Sequence, residues 1–63
     1  MMELYQDSNG EQVYCYQLSG PTILNTVNGE KCAESDEWVI LLSDGRCAVL
    51  SNEQFVQGFT KVE

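Results

Sequence analysis

The chain contains no histidine. That absence removes Ser-His and Cys-His nucleophile pairs and every zinc set that uses an imidazole. Basic residues are scarce as well. Lys31, Arg46 and Lys61 stand against ten acidic residues, for a formal charge of −7. Binding a phosphate backbone needs clustered Lys and Arg, so direct nucleic-acid binding is not expected. No apolar run reaches the roughly 18 residues of a membrane span, and no basic segment precedes an apolar stretch as in a secretory signal. The expectation is a cytoplasmic protein with no membrane partner. Cysteine is sparse and odd in number: Cys15, Cys32 and Cys47, with no C-x-x-C. An odd set cannot all pair within one chain, so reduced thiols acting as small core residues are expected. Proline occurs once, and the glycines are isolated, without the spacing of a phosphate loop.

Carboxylates are plentiful, but their spacing is not catalytic. Asp36 and Glu37 are adjacent. Neighbouring side chains of an extended strand point to opposite faces, so the two do not converge on one substrate as paired hydrolytic carboxylates do. Glu30, Glu34 and Asp36 lack the D-x-D-x-D-G order of a calcium loop. The expectation is a non-enzymatic protein without cofactor or metal.

What the chain does contain is a strong hairpin signal. Residues 37–50 are two apolar runs joined by Asp44-Gly45, a dipeptide that tolerates the positive φ angles of a two-residue turn. Such a turn sets Ser43 against Arg46 and Leu42 against Cys47. Trp38, Ile40, Leu42, Cys47 and Val49 then share one face, and Val39, Leu41, Ala48 and Leu50 the other. Both faces are apolar, so both need covering, by the rest of the chain or by a second copy. A homodimer is therefore one expectation. At 63 residues the chain buries only about 60% of its unfolded surface, which makes large side chains such as Trp38 valuable core material.

The flanking segments repeat the pattern. Residues 3–7 and 12–18 predict two strands around Asn9-Gly10. A two-residue turn there pairs Tyr5 with Tyr14 and aligns Tyr5, Tyr14 and Tyr16 on one face. Gly20-Pro21 breaks the run. Residues 22–27 predict a third strand, Asn28-Gly29 a third turn, and residues 30–33 a weak fourth strand. Ser51-Asn52-Glu53-Gln54 has the form of a capping box, and Phe55 and Phe59 follow at i, i+4 spacing. A short helical turn over 52–58 is predicted, with a closing strand at 60–62. The fold expected is a single domain over 1–63, mainly β. It is a small antiparallel meander curled into an SH3-like barrel.

A resemblance rests on three stretches. Asp36-Glu37-Trp38-Val39-Ile40, Ser43-Asp44-Gly45-Arg46, and the run from Val49 through Ser51-Asn52-Glu53-Gln54-Phe55 together resemble small phage and bacterial proteins of the PGDYG type. In those proteins an aromatic strand, a D/N-G turn, a second strand and a helical turn ending in an aromatic follow one another. The resemblance covers residues 22–62, with Glu34-Ser35 standing where the family has Pro-Gly. It implies a small β-rich accessory domain, often phage-borne, with no assigned active site.

Surface binding is thus the expected class of function. One candidate surface is an acidic rim of Glu30, Glu34, Asp36 and Glu37, able to imitate phosphates and to be steered into a basic groove. The other is the tyrosine stripe of Tyr5, Tyr14 and Tyr16, since Tyr offers contact area at low entropic cost. The first implies an inhibitor of a basic nucleic-acid-binding host defence protein, of restriction or CRISPR type. The second implies a structural or assembly domain that binds itself or another phage protein.

Overall fold

Three tight turns, each carrying a glycine at positive φ, generate most of the structure. The computed structural model describes residues 2–62, so Met1 and Glu63 lie outside the described residues. Strands β1 (Glu3–Asp7) and β2 (Gln12–Gln17) form the first hairpin. Strands β3 (Thr22–Thr26) and β4 (Gly29–Ala33) form the second. Strands β5 (Trp38–Leu41) and β6 (Cys47–Leu50) form the third. Helix α1 (Asn52–Gly58) and strand β7 (Phe59–Lys61) complete the chain. The segment 30–33 read as a weak strand is a regular one.

The loops of the first and third hairpins are one residue longer than the dipeptide signals predict. Asp7 N–H donates to Glu11 O at 3.0 Å and Gly10 N–H to Asp7 O at 3.0 Å, which leaves Ser8-Asn9-Gly10 as a three-residue loop. The Asp7 carboxylate selects it. Its Oδ1 accepts from Asn9 N–H at 2.9 Å and Glu11 N–H at 3.0 Å, an Asp turn that competes with the two-residue alternative. Likewise Leu42 N–H donates to Arg46 O at 3.0 Å and Gly45 N–H to Leu42 O at 3.2 Å, with Gly45 at φ 88°. In each, glycine occupies the left-handed third position of a loop closed by a bulge.

One extra loop residue exchanges the faces of the returning strand. Trp38 pairs with Leu50 and Ile40 with Ala48, while Val39 pairs with Val49 and Leu41 with Cys47. The first face is therefore Trp38, Ile40, Leu42, Ala48 and Leu50, and Cys47 and Val49 belong to the second. The same shift pairs Tyr5 with Val13 and Leu4 with Tyr14. Tyr5 lies on the face opposite to Tyr14, and the expected three-tyrosine stripe does not form.

Both apolar faces of the central hairpin are covered within the chain except at Leu41, which stays partly exposed. On the first, Cys15, Trp38, Ile40 and Phe55 form a buried cluster flanked by Tyr5, Val13 and Phe59. The capping box that starts α1 is complete, with Ser51 Oγ accepting from Gln54 N–H and Gln54 Oε1 accepting from Ser51 N–H. It lays Phe55, fully buried, on the Trp38 indole with ring centroids 3.9 Å apart and planes 5° from parallel. Burying a ring of this size contributes about 1.5–3 kcal/mol. Phe59 is the helix C-cap rather than a helical residue, and stacks on Phe55 at 4.9 Å. On the second face, Leu18, Ala33, Val39 and Cys47 are buried together with Leu24, Tyr16 and Val49 against them. The β3–β4 hairpin supplies Leu24 and Ala33, so it covers this face.

The structure is mainly β, with one short helix, as expected. The seven strands run β4-β3-β6-β5-β2-β1-β7, which is neither a simple meander nor a closed barrel. Both ends of the sheet are edges. The β3–β4 hairpin joins β6 through a single parallel pair, Thr26 with Cys47. It packs Ala33 under Val39 instead of meeting β7. Among the described residues, no helix is long and apolar enough to cross a membrane.

Candidate functional site

The loop between β4 and β5 carries Glu34, Asp36 and Glu37, and the chain holds it firmly. Leu18 N–H donates to Glu37 O at 2.9 Å and Asp36 N–H to Leu18 O at 2.9 Å. The Glu37 carboxylate accepts from Glu34 N–H at 2.6 Å. Asp36 takes φ 73°, a left-handed conformation that Asp tolerates better than most residues. Gln17 Nε2 donates both to Asp36 O at 3.0 Å and to Asn52 Oδ1 at 3.3 Å. The same Asn52 oxygen accepts from the Trp38 indole N–H at 2.9 Å. Gln17 and Asn52 thus tie the loop to the first turn of α1, where Glu53 is exposed.

This arrangement redraws the acidic rim. Glu34, Asp36, Glu37 and Glu53 gather at one pole. Glu30 does not join them. It lies near the other end of β4, opposite Asn25, about 13 Å of strand from Glu34. Glu53 was missed by sequence reasoning because only Gln17 and Asn52, distant in sequence, bring it there. The three basic residues lie elsewhere. Lys31 is on β4 opposite Leu24. Lys61 pairs with Glu3 at 2.9 Å. Arg46 pairs with Asp44 at 2.6 Å, both of them exposed. Its side-chain hydrogen bonds hold the Asp44 carboxyl below its ordinary value, and Asp44 in turn raises the guanidinium. Among the described residues, no three carboxylate or thiol side chains are placed to hold a metal ion.

The tyrosines divide between core and surface. Tyr5 packs edge-on to Trp38 at 5.4 Å and to Phe55 at 4.8 Å, so it is core. Tyr16 packs against the second buried cluster. Tyr14 is 58% exposed on that same side, beyond the cover of the β3–β4 hairpin, with Met2 at 55% and Leu41 at 37%.

All three cysteines are free. Cys15 and Cys47 are buried and Cys32 is exposed. Burial, followed by the nearby Glu3 charge, pushes the Cys15 thiol up to about 11. Its neutral form contributes stability in full below the ordinary value of 9.0, and that contribution is lost as pH climbs toward 11. Native protein treated with a chromogenic disulfide at pH 8 should release one equivalent rapidly, from Cys32, and the remainder only in denaturant. Rapid release from a second thiol would contradict the burial of Cys15 and Cys47.

A cleft not foreseen from the sequence opens between β2 and β5. Their pairing runs from Gln17–Trp38 to Cys15–Ile40 and stops. Beyond it a space of about 580 Å³ is lined by Glu11, Val13, Tyr14, Leu41, Leu42 and Asp44, among others. It lies at the end of β2 remote from the acidic pole, five residues or about 17 Å from Gln17. Comparison of the chain with protein-family models, curated proteins and solved structures gave no match.

Proposed function

We propose that this chain is a small acidic, non-enzymatic binding protein that occupies the nucleic-acid groove of a basic partner protein. The observation that carries the reading is the pole of Glu34, Asp36 and Glu37, on a loop fixed by backbone hydrogen bonds, with Glu53 on the helical turn that Gln17 and Asn52 tie to it. Carboxylates on a rigid scaffold lose little entropy on docking, and a net charge of −7 accelerates encounter with a positive surface. Its small size and acidic charge extend this to an inhibitor acting in the host cytoplasm on a restriction or CRISPR-type component, and the resemblance to PGDYG-type proteins adds that it is phage-encoded.

The test is displacement of labelled DNA from such a host nuclease by the purified chain. Neutralising the pole with Glu34→Gln, Asp36→Asn, Glu37→Gln and Glu53→Gln keeps the loop's hydrogen-bonding groups and removes four charges. Displacement should weaken at least about tenfold and fall with added salt. Undiminished displacement by the fourfold variant would refute the proposal. A second reading, a structural accessory domain that associates through its open sheet face, draws on the exposure of Met2, Tyr14 and Leu41. Its signature is a salt-insensitive dimer in sedimentation.

A further inference from the structure

We infer that the cleft between β2 and β5 is a docking site for an extended basic and apolar segment of a partner polypeptide. It is separate from the acidic pole and does not depend on it.

Three features point to that occupant. The first is backbone. Glu11 O accepts from Asp7 N–H, so the Glu11 peptide group is turned toward β1. Alternation then turns the peptide groups of Gln12 and Tyr14 toward β5. The Cys15–Ile40 pair engages the Tyr14 carbonyl, and beyond it the Tyr14 N–H and the Gln12 peptide group have no ladder pair on β5. A free stretch of strand edge is what an added peptide strand uses. The second is apolar surface. Tyr14 and Leu41 flank the opening and are 58% and 37% exposed, while Val13 and Leu42 form the floor against the buried cluster. The space there is about 580 Å³ and open to solvent. The third is charge. Glu11 and Asp44 line the mouth, and since Arg46 offsets the Asp44 charge, Glu11 supplies the net negative charge there. A second copy of this acidic chain would bring further negative charge to a negative mouth. A segment alternating Lys with Leu or Val matches all three features: its backbone meets the β2 edge, its apolar side chains enter between Tyr14 and Leu41, and its ammonium groups reach Glu11.

The probe is the blocked pentapeptide acetyl-Lys-Leu-Lys-Val-Lys-amide, titrated into the ¹⁵N-labelled chain and followed by amide shifts. Saturable shifts should appear at residues 11–14 and 41–44. The double variant Glu11→Gln, Tyr14→Ala, both at exposed positions, should weaken them about tenfold or more while leaving the rest of the spectrum in place. The same peptide with Glu in place of Lys should give none. Four outcomes overturn the inference. They are absence of saturation, shifts confined to residues 34–37 and 53, equal shifts with the acidic peptide, and shifts that move with protein concentration alone. The last would show a second copy in the cleft. The acidic-pole proposal is tested on other residues and stands or falls separately.

Discussion

Trp38→Ala is expected to leave the chain unfolded at room temperature, seen as loss of strand signal in circular dichroism and of the cooperative urea transition. The indole is 7% exposed. It stacks on Phe55 at 3.9 Å, meets Tyr5 edge-on at 5.4 Å, and donates to Asn52 Oδ1 at 2.9 Å. Removing an aromatic of this size from a core costs about 3–5 kcal/mol. A chain of this length has roughly 3–9 kcal/mol in total, so the substitution consumes most or all of it. Trp38→Phe separates the contributions. It keeps a ring on Phe55 and loses the indole N–H, so it should fold with a loss of about 1–3 kcal/mol. A melting temperature unchanged in Trp38→Ala would remove Trp38 from the core and with it the account of the first face.

The neighbouring substitution, Val39→Asp, should be as damaging and should respond to pH in a telling direction. Val39 is fully buried on the opposite face, among Leu18, Ala33 and Cys47. It pairs with Tyr16 on one side and Val49 on the other. No basic residue belongs to that cluster, so a carboxylate there has no counter-charge. Its desolvation costs several kcal/mol. Burial raises the folded-state pKa of such a group above the unfolded value of about 3.9. Stability should therefore be greatest below that value and disappear as pH rises through the folded-state pKa. Refolding of Val39→Asp on acidification, with Val39→Ala losing only about 2 kcal/mol at any of these pH values, is the expected pair of results. A Val39→Asp protein as stable as the parent at neutral pH would show that the β3–β4 hairpin does not cover this face.

Adjacent residues failing for opposite-face reasons express how this small chain solves its packing problem. Two apolar ribbons at its centre demand two covers. The capped turn with Phe55 provides one. The β3–β4 hairpin, hinged through the Thr26–Cys47 pair, provides the other. The expectation of a closed barrel put strand pairing first, but burial of Val39 by Ala33 decides where that hairpin goes.

The three hairpins and the capped helix over residues 52–58 were legible in the sequence, although the second turn is Val27-Asn28 rather than Asn28-Gly29, with Gly29 already paired to Thr26. Each depends on neighbours within a few residues: an Asp-Gly or Asn-Gly pair, a Ser three places before Gln, a run of β-branched and aromatic types. The registers were not legible. Whether Asp7 closes a two- or three-residue loop is settled by its carboxylate bonding to Asn9 and Glu11. That one residue moved Tyr5 into the core and left Tyr14 outside, and a separate extra residue in the loop after Leu42 exchanged Cys47 and Val49 for Ala48 and Leu50. The acidic pole was half legible. Glu34, Asp36 and Glu37 are contiguous enough to read together, but Glu53 joins and Glu30 leaves only once Gln17 bridges Asp36 to Asn52 across the fold.

The amino-acid order alone therefore determined that this is an acidic, turn-rich β chain without histidine chemistry, because composition and short-range spacing carry that information directly. Only the tertiary structure decided which faces are shared, which carboxylates meet and where β2 and β5 part. Those follow from pairing between residues far apart in the chain, where a shift of a single position turns every side chain over.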